Sequence, residues 1–259
     1  MKKSVVYTIR LLIFVAFVLF WHFSIEFNLV QGSFVARPSS VAVNLVQILA
    51  ENKYADQLSE TMLHYLSGLG LGTAMGFALA LISYSIQRLK ELITPYVLLI
   101  TVVPKVIFFP IFVKIFITDN VIKTMFVATL YVLPFTFLGV LSGLKMMEAA
   151  YLNLFKIYSN NVIKLYEKIL LPASFFSLLA SFRLSALFAL VGAIFADMML
   201  APGIGYTIII LAYSSITSDL YALVILIAIV SAVVNILTKN VEDWVVARLR
   251  MEKQIYVAI

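Results

Sequence analysis

Six stretches of this chain are apolar over about the length a helix needs to cross a bilayer, roughly 20 residues, and no other feature narrows the fold so far. They run from Tyr7 to Phe27, Met62 to Tyr84, Leu92 to Ile117, Val121 to Leu144, Phe175 to Leu200, and Leu220 to Leu237. In hydrocarbon every backbone polar group must find its partner within the protein, which a helix achieves inside one segment. The expectation is therefore an all-α polytopic membrane protein with six transmembrane helices. Of the 259 residues 63% are hydrophobic and 12% charged. A soluble domain carries about a quarter charged residues, so no room remains for a large soluble domain. The start MKKSVVYTIR has the basic character of a leader, but no small-x-small cleavage site follows, and the run is read as a retained first span.

Charge sets the orientation. With both termini in the cytoplasm, Lys2, Lys3, Arg10, Arg88, Lys90, Lys145, Lys156, Lys164, Lys168, Lys239, Arg248, Arg250 and Lys253 fall inside. Arg37, Lys53, Lys123 and Lys114 are left outside among Glu26, Glu51, Asp56, Glu60, Asp119 and Asp219. That asymmetry obeys the positive-inside rule and accounts for the net charge of +6 without nucleic acid. The expected location is a membrane crossed several times, with both termini in the cytoplasm.

Several chemistries are excluded. There is no cysteine, so disulfides and thiolate catalysis are absent. His22 and His64 stand in different segments without an acidic or histidine neighbour at ligand spacing, so no metal and no cofactor are expected. No nucleophile, base and metal ligands converge as an enzyme requires. No Gly-x-x-x-x-Gly-Lys-Ser/Thr is present, so the chain does not bind ATP through a phosphate loop.

Packing signals lie in the second and third spans. Gly68, Gly72 and Gly76, followed by Ala80, recur every four residues on one helix face and invite close backbone approach. Pro95, Pro104 and Pro110 predict one kinked helix for the third span, with Pro134 a similar irregularity in the fourth. In the loop from Asn28 to Glu60, Pro38 can open a short surface helix with Val41, Leu45 and Ile48 on one face. Lys105 and Arg183 fall deep in their spans with no equally deep acid. On the residues alone two readings stand: they line a path favouring an anionic solute, or Arg183 braces helices while Lys105 snorkels along a kink.

The longest connection, Lys145 to Pro172, holds AYLNLFKIY and then Val162, Leu165, Tyr166, Ile169 and Leu170 at helical spacing, separated by the turn signal Ser159-Asn160-Asn161. Two short amphipathic helices are expected there, able to lie on lipid or dock into a partner's groove. The stretch GLKMMEAAYLNLFKIYSNNVIKLYEKILLPAS resembles the cytoplasmic loop of binding-protein-dependent ABC importer permeases. The family motif is Glu-Ala-Ala, three residues, Gly, nine residues, Ile, one residue, Leu-Pro. Ile169, Leu171 and Pro172 match its end, which places its Gly on Ser159 and its Glu-Ala-Ala on Asn153-Leu154-Phe155. The literal Glu148-Ala149-Ala150 lies five residues too far upstream.

The resemblance extends along the chain. ARPSS, PYVLLITVVPKVIFFPIFVKIF, LPFTFLGVLSGLK, FRLS and ADMMLAPGIGYTI are similar, in order, to family segments, with Asp197 where the family has Glu. Together they point to the nitrate, sulfonate, taurine and thiamine-precursor branch. The resemblance implies a permease subunit, an ATP-binding subunit gripping a coupling-helix pair, a solute-binding protein, and a second permease copy, with a homodimer expected. It implies a single transmembrane domain over residues 1–259, with a first span and outer loop at 1–60, a permease core at 61–240 and a cytoplasmic tail at 241–259. Asn153, Leu154, Phe155, Ser159, Ile169, Leu171 and Pro172 are the expected coupling residues. Lys105, Arg183, Asp197 and Pro104 are the expected translocation path, and Gly68, Gly72 and Gly76 the packing positions. Leu154-Phe155 puts bulk where the motif has small residues, which implies a co-adapted ATPase groove or, as the second reading, a permease that couples poorly or is the divergent member of a heteromeric pair. The runner-up is a secondary transporter or channel not powered by ATP; it predicts deep acidic residues and short cytoplasmic loops, and neither is seen.

Overall fold

The computed structural model describes residues 3–30, 34–115, 120–146, 162–200, 202–214 and 216–257, and all regular structure among them is helical. In chain order the helices are α1 (Lys3–Glu26), α2 (Pro38–Ala50), α3 (Ala55–Ser85), α4 (Gln87–Val102), α5 (Phe109–Ile115), α6 (Asn120–Lys145), α7 (Leu171–Leu200), α8 (Ile204–Tyr213) and α9 (Thr217–Val257). A 3₁₀ turn, Lys105–Phe108, leads into α5; a helical turn, Val162–Leu165, and a π turn, Tyr166–Leu170, lead into α7. Five helices are long and apolar enough to cross a membrane, and a sixth is counted if the bent pair Gln87–Val102 and Lys105–Phe112 forms one span.

That bent pair departs from expectation. A single kinked helix from Leu92 to Ile117 was anticipated, whereas the axis turns through 96° after Val102. The cause is local. Val103, which precedes proline, is extended (φ −68°, ψ 129°), and Pro104 is too (φ −61°, ψ 109°). A residue before proline is driven out of the helical region, and proline offers no N–H to continue the ladder. Pro95 and Pro134, by contrast, stay inside α4 and α6.

The core is built from α3, α6 and α7, whose mutual contacts are the most extensive in the molecule. The glycine face of α3 explains the closeness of α6. A Cβ on Gly68 would strike Ala128; on Gly72 it would lie 2.5 Å from Val132 Cβ; on Gly76, 2.7 Å from the Leu133 carbonyl. Further along α6, Gly139 and Gly143 give way to Ser181 and Ser177 of α7 in the same manner. Small residues that let backbones approach are how helices associate where lipid is as apolar as the side chains.

Two helices not long enough to span complete the end of the bundle where α3 begins. Proline at the first position of α2 has the φ a helix needs and lacks only an N–H that would have no partner there. Val41 and Ile48 of α2 are buried with Ile204 and Leu211 of α8 and Ala222, Leu223 and Leu226 of α9. The surface helix opening at Pro38 was anticipated; α8 was not. The helix α1 lies at the periphery with its apolar residues exposed, and Trp21 meets Tyr221 of α9 at 5.8 Å between ring centroids.

Candidate functional site

The 96° break puts Lys105 in the first position of the 3₁₀ turn, where the chain folds back under α6. Lys105 is only 8% exposed, and its ammonium sits 4.7 Å from the centroid of the Tyr131 ring, on the ring face. Among the described residues no ion pair involves it. Tyr131 in turn stacks on Phe195 of α7, 6.4 Å between centroids and 10° between planes. Gly192 leaves room for the tyrosine: a Cβ there would lie 3.0 Å from three of its side-chain atoms. A ring face attracts a cation through its quadrupole but does not neutralise it. The site is a buried positive charge held against the ring of one span, α6, that is itself stacked on the next, α7. Pro104, immediately before it, is exposed.

Further along the same two helices, Phe135 stacks on Phe188 at 3.9 Å between centroids. Beyond that stack α6 and α7 border an open groove of about 620 Å³ lined by Leu138, Phe176 and Leu184 and by the hydroxyl side chains of Ser142, Ser177 and Ser181. A cleft of this volume falls within the range of small-molecule sites, about 300–1,000 Å³. Near the break, a second cleft of about 410 Å³ is lined by Val106, Phe109, Pro110, Lys114 and Met199.

Arg183, half-buried on α7, donates from Nε to Asn235 Oδ1 of α9 at 2.9 Å. The bond joins two spans and leaves the terminal nitrogens of the guanidinium outside that contact. Arg183 bonds Asn235 of α9 and Lys105 faces Tyr131 of α6, and among the described residues no hydrogen bond or ring contact joins the two cations.

Asp197 is fully buried. Its Oδ2 accepts from Thr61 Oγ1 at 2.5 Å, and its Oδ1 lies 2.7 Å from His64 Nδ1. Thr61 and His64 are equally sealed, at 1% and 0% exposure. Sequence spacing left His64 without a neighbour because its partner is 133 residues away. The only local signal was polarity itself: a threonine and a histidine one helical turn apart on the buried face of an apolar span. No group of three or more His, Cys, Asp or Glu suited to a metal occurs among the described residues.

A second polar cluster was not legible at all. Asp219, at the start of α9, is bonded by Asn44 Nδ2 (2.6 Å), Lys53 Nζ (2.6 Å) and Tyr54 OH (3.0 Å), which tie α2 and the α2–α3 corner to α9. The hydrogen bond to the Asp219 carboxylate raises the Lys53 pKa above its ordinary value.

Of the expected coupling residues, Asn153, Leu154, Phe155 and Ser159 lie outside the described residues, as do Glu148, Ala149 and Ala150. Ile169 is in the π turn; Leu171 and Pro172 open α7. The π turn has a clear reason. Pro172 cannot donate to the carbonyl four residues back, and its ring collides with it, so the preceding turn widens. Leu170 is nevertheless buried with Ala80, Leu81, Val97, Phe137 and Leu144, so the motif's end is anchored to the α3–α4–α6 core.

Residues 68–251, well over half of the chain, match the family described as binding-protein-dependent transport system inner membrane component. The chain is also 21% identical over 222 residues, 84% of its own length and 80% of the other's, to a protein of Bacillus subtilis (strain 168) that bears the name aliphatic sulfonates transport permease protein SsuC. The family match takes in the glycine face, the break at Lys105, Arg183 and Asp197.

Proposed function

The chain belongs to the family of binding-protein-dependent transport system inner membrane components and is the permease subunit of an ABC importer, and from that premise we propose that it conducts a small anionic solute past Lys105. A secondary transporter or channel finds no support in either match. Membership implies an ATP-binding subunit and a solute-binding protein as partners.

The finer reading is as follows. Two copies of the chain face each other across the path, with termini in the cytoplasm of a bacterial or archaeal cell. ATP is hydrolysed by the partner subunit and not by this chain. Asn153, Leu154, Phe155 and Ser159 dock into that partner. Ile169, Leu171 and Pro172 carry the movement into α7. The absence of any loop between Val162 and Leu200 supports this, because a push on the first turn is transmitted along a continuous helical rod. Replacing Phe155 by Asp is expected to abolish pull-down of the cognate ATP-binding subunit; undiminished association would remove docking at this position.

The anion reading rests on one observation: a buried ammonium, with an aromatic face beneath it and no carboxylate bonded to it among the described residues. A buried unpaired cation is costly, and lining a pathway is one of the few reasons for keeping it. An anion entering there would supply the missing counter-charge. The name of the Bacillus subtilis relative supports a sulfonate headgroup as the first compound to try. The test is ATP-driven uptake of a labelled aliphatic sulfonate by the assembled transporter in vesicles. A charge-assisted hydrogen bond contributes about 1.5–3 kcal/mol, so Lys105→Met should lower uptake by about tenfold or more while Lys105→Arg keeps most of it. Normal uptake in Lys105→Met would eliminate the anion path.

A further inference from the structure

We propose that Thr61, His64 and Asp197 are positioning residues that clasp α8 to α3 and α7, so that the three elements move as one body in the transport cycle. The inference rests on the permease reading for its functional consequence, but not for its geometry. Asp197 reaches from α7 to two side chains of α3. Thr61 then passes the connection on: its Oγ1 accepts the Ile204 backbone N–H at 2.9 Å, which is the first amide of α8. Such an amide has no partner within its own helix and needs one from outside. The turn between α7 and α8 is fitted around the same carboxylate. A Cβ on Gly203 would collide with Asp197 Oδ2, and one on Gly205 with the Ile194 carbonyl and, at 2.9 Å, with Asp197 Cβ. Thus one carboxylate, one hydroxyl and two glycines fix where α8 begins.

The cluster is sealed from solvent, so in this conformation it cannot meet a solute. On this proposal Asp197 serves the scaffold and not the path. An apolar filling would hold three helices together at no greater cost, since buried polar groups give up hydration that their bonds only repay. What an apolar filling lacks is direction. The bonds at 2.5 and 2.7 Å hold Thr61 and His64 of α3 on Asp197 of α7, and the 2.9 Å bond from the Ile204 amide to the Thr61 hydroxyl so held specifies one register of α8, whereas the contacts of Ile204 and Leu211 with α2 and α9 are non-directional. The opposite face of α8 shows Tyr206, Ile210 and Tyr213, at 48%, 49% and 91% exposure, one or two turns apart. The clasp sets the height and rotation of that stripe at the end of the bundle away from the 145–172 connection.

Hydrogen exchange in the assembled transporter, followed by mass spectrometry over the 200–214 peptide, tests this without a substrate. Asp197→Asn and Thr61→Val should speed exchange about tenfold or more across Ile204–Leu211, and Thr61→Ser should leave it unchanged. If Asp197→Asn is not recovered in the membrane, Thr61→Val decides alone, since it removes one hydroxyl and keeps the shape. Acceleration confined to the Ile204 amide, or no acceleration, overturns the clasp. ATP-driven uptake in the same preparations separates the two proposals. Failure of the parent transporter to take up any solute would count against the permease path while leaving the exchange result standing. A loosened α8 with full uptake would show a clasp that transport does not use, and would overturn the functional half of the inference.

Discussion

A methyl group placed at Gly72 is expected to weaken the molecule far more than one placed at Gly70, two residues away on the same helix. At Gly72 the added carbon would lie 2.5 Å from Val132 Cβ, 2.7 Å from Val132 Cγ1 and 3.1 Å from the Thr129 carbonyl. Carbon atoms rest at about 3.5–4.0 Å, so the shortfall is about 1 Å. Either α6 moves out by that amount or Val132 leaves its position. Moving α6 would also loosen its contacts at Gly68 and Gly76, which share the face. Overpacking of this kind costs about 1–3 kcal/mol. At Gly70 nothing lies within 4 Å, so Gly70→Ala meets no obstacle. Because both changes gain the same helix propensity, about 1 kcal/mol, their difference isolates the steric part. For a chain of this size about 1 kcal/mol corresponds to about 2–4 °C, so Gly72→Ala should melt about 2–12 °C below Gly70→Ala. The assay is thermal unfolding in detergent followed by size-exclusion of the surviving fraction. Val132→Ala in the Gly72→Ala background should restore only the part of the loss due to Cγ1, the contact at 2.7 Å, since the nearest atom, Cβ at 2.5 Å, stays. Equal melting of the two single variants would refute the claim that the glycine face sets the α3–α6 distance.

Other outcomes are expected from the polar contacts. Asp219→Ala removes the shared acceptor of Asn44, Lys53 and Tyr54, at about 1–3 kcal/mol, and should expose the α2–α3 corner to limited proteolysis in intact vesicles; an unchanged cleavage rate would deny the tie. Arg183→Ala and Asn235→Ala should each destabilise the protein, with a coupling of about 0.5–3 kcal/mol in the double-mutant cycle; additive losses would mean the 2.9 Å bond does not join α7 to α9 energetically. Tyr131→Leu removes the ring beneath the Lys105 ammonium and should reduce uptake at low solute concentration more than at saturation; equal reduction at both would place the ring's effect elsewhere.

Much of the architecture could be read from one dimension because its causes are local. Apolar length located the five described helices that are long and apolar enough to span, and the four-residue spacing of Gly68, Gly72 and Gly76 marked the face that α6 occupies. The restriction that Pro104 imposes on Val103 was equally visible, yet its consequence was misjudged. A kink was anticipated, and the chain instead broke through 96° because two consecutive residues went extended. The short helix α8 was overlooked for a related reason. Ten residues between the spans ending at Leu200 and beginning at Leu220 are too few to cross a membrane, and nothing local fixes where the helix starts; the hydroxyl of Thr61, far away in sequence, does.

What only the folded chain decided is which polar group meets which. His64 and Asp197 are 133 positions apart, Arg183 and Asn235 52, Asn44 and Asp219 175. Hydrophobic periodicity carries which face is turned inward, since burial of apolar area needs no particular partner. A hydrogen bond needs one atom within about 3 Å of another, and that distance exists only after three helices have packed. Lys105 shows both halves: its depth in an apolar run was plain in the sequence, while the ring of Tyr131 beneath it came from the crossing of two helices.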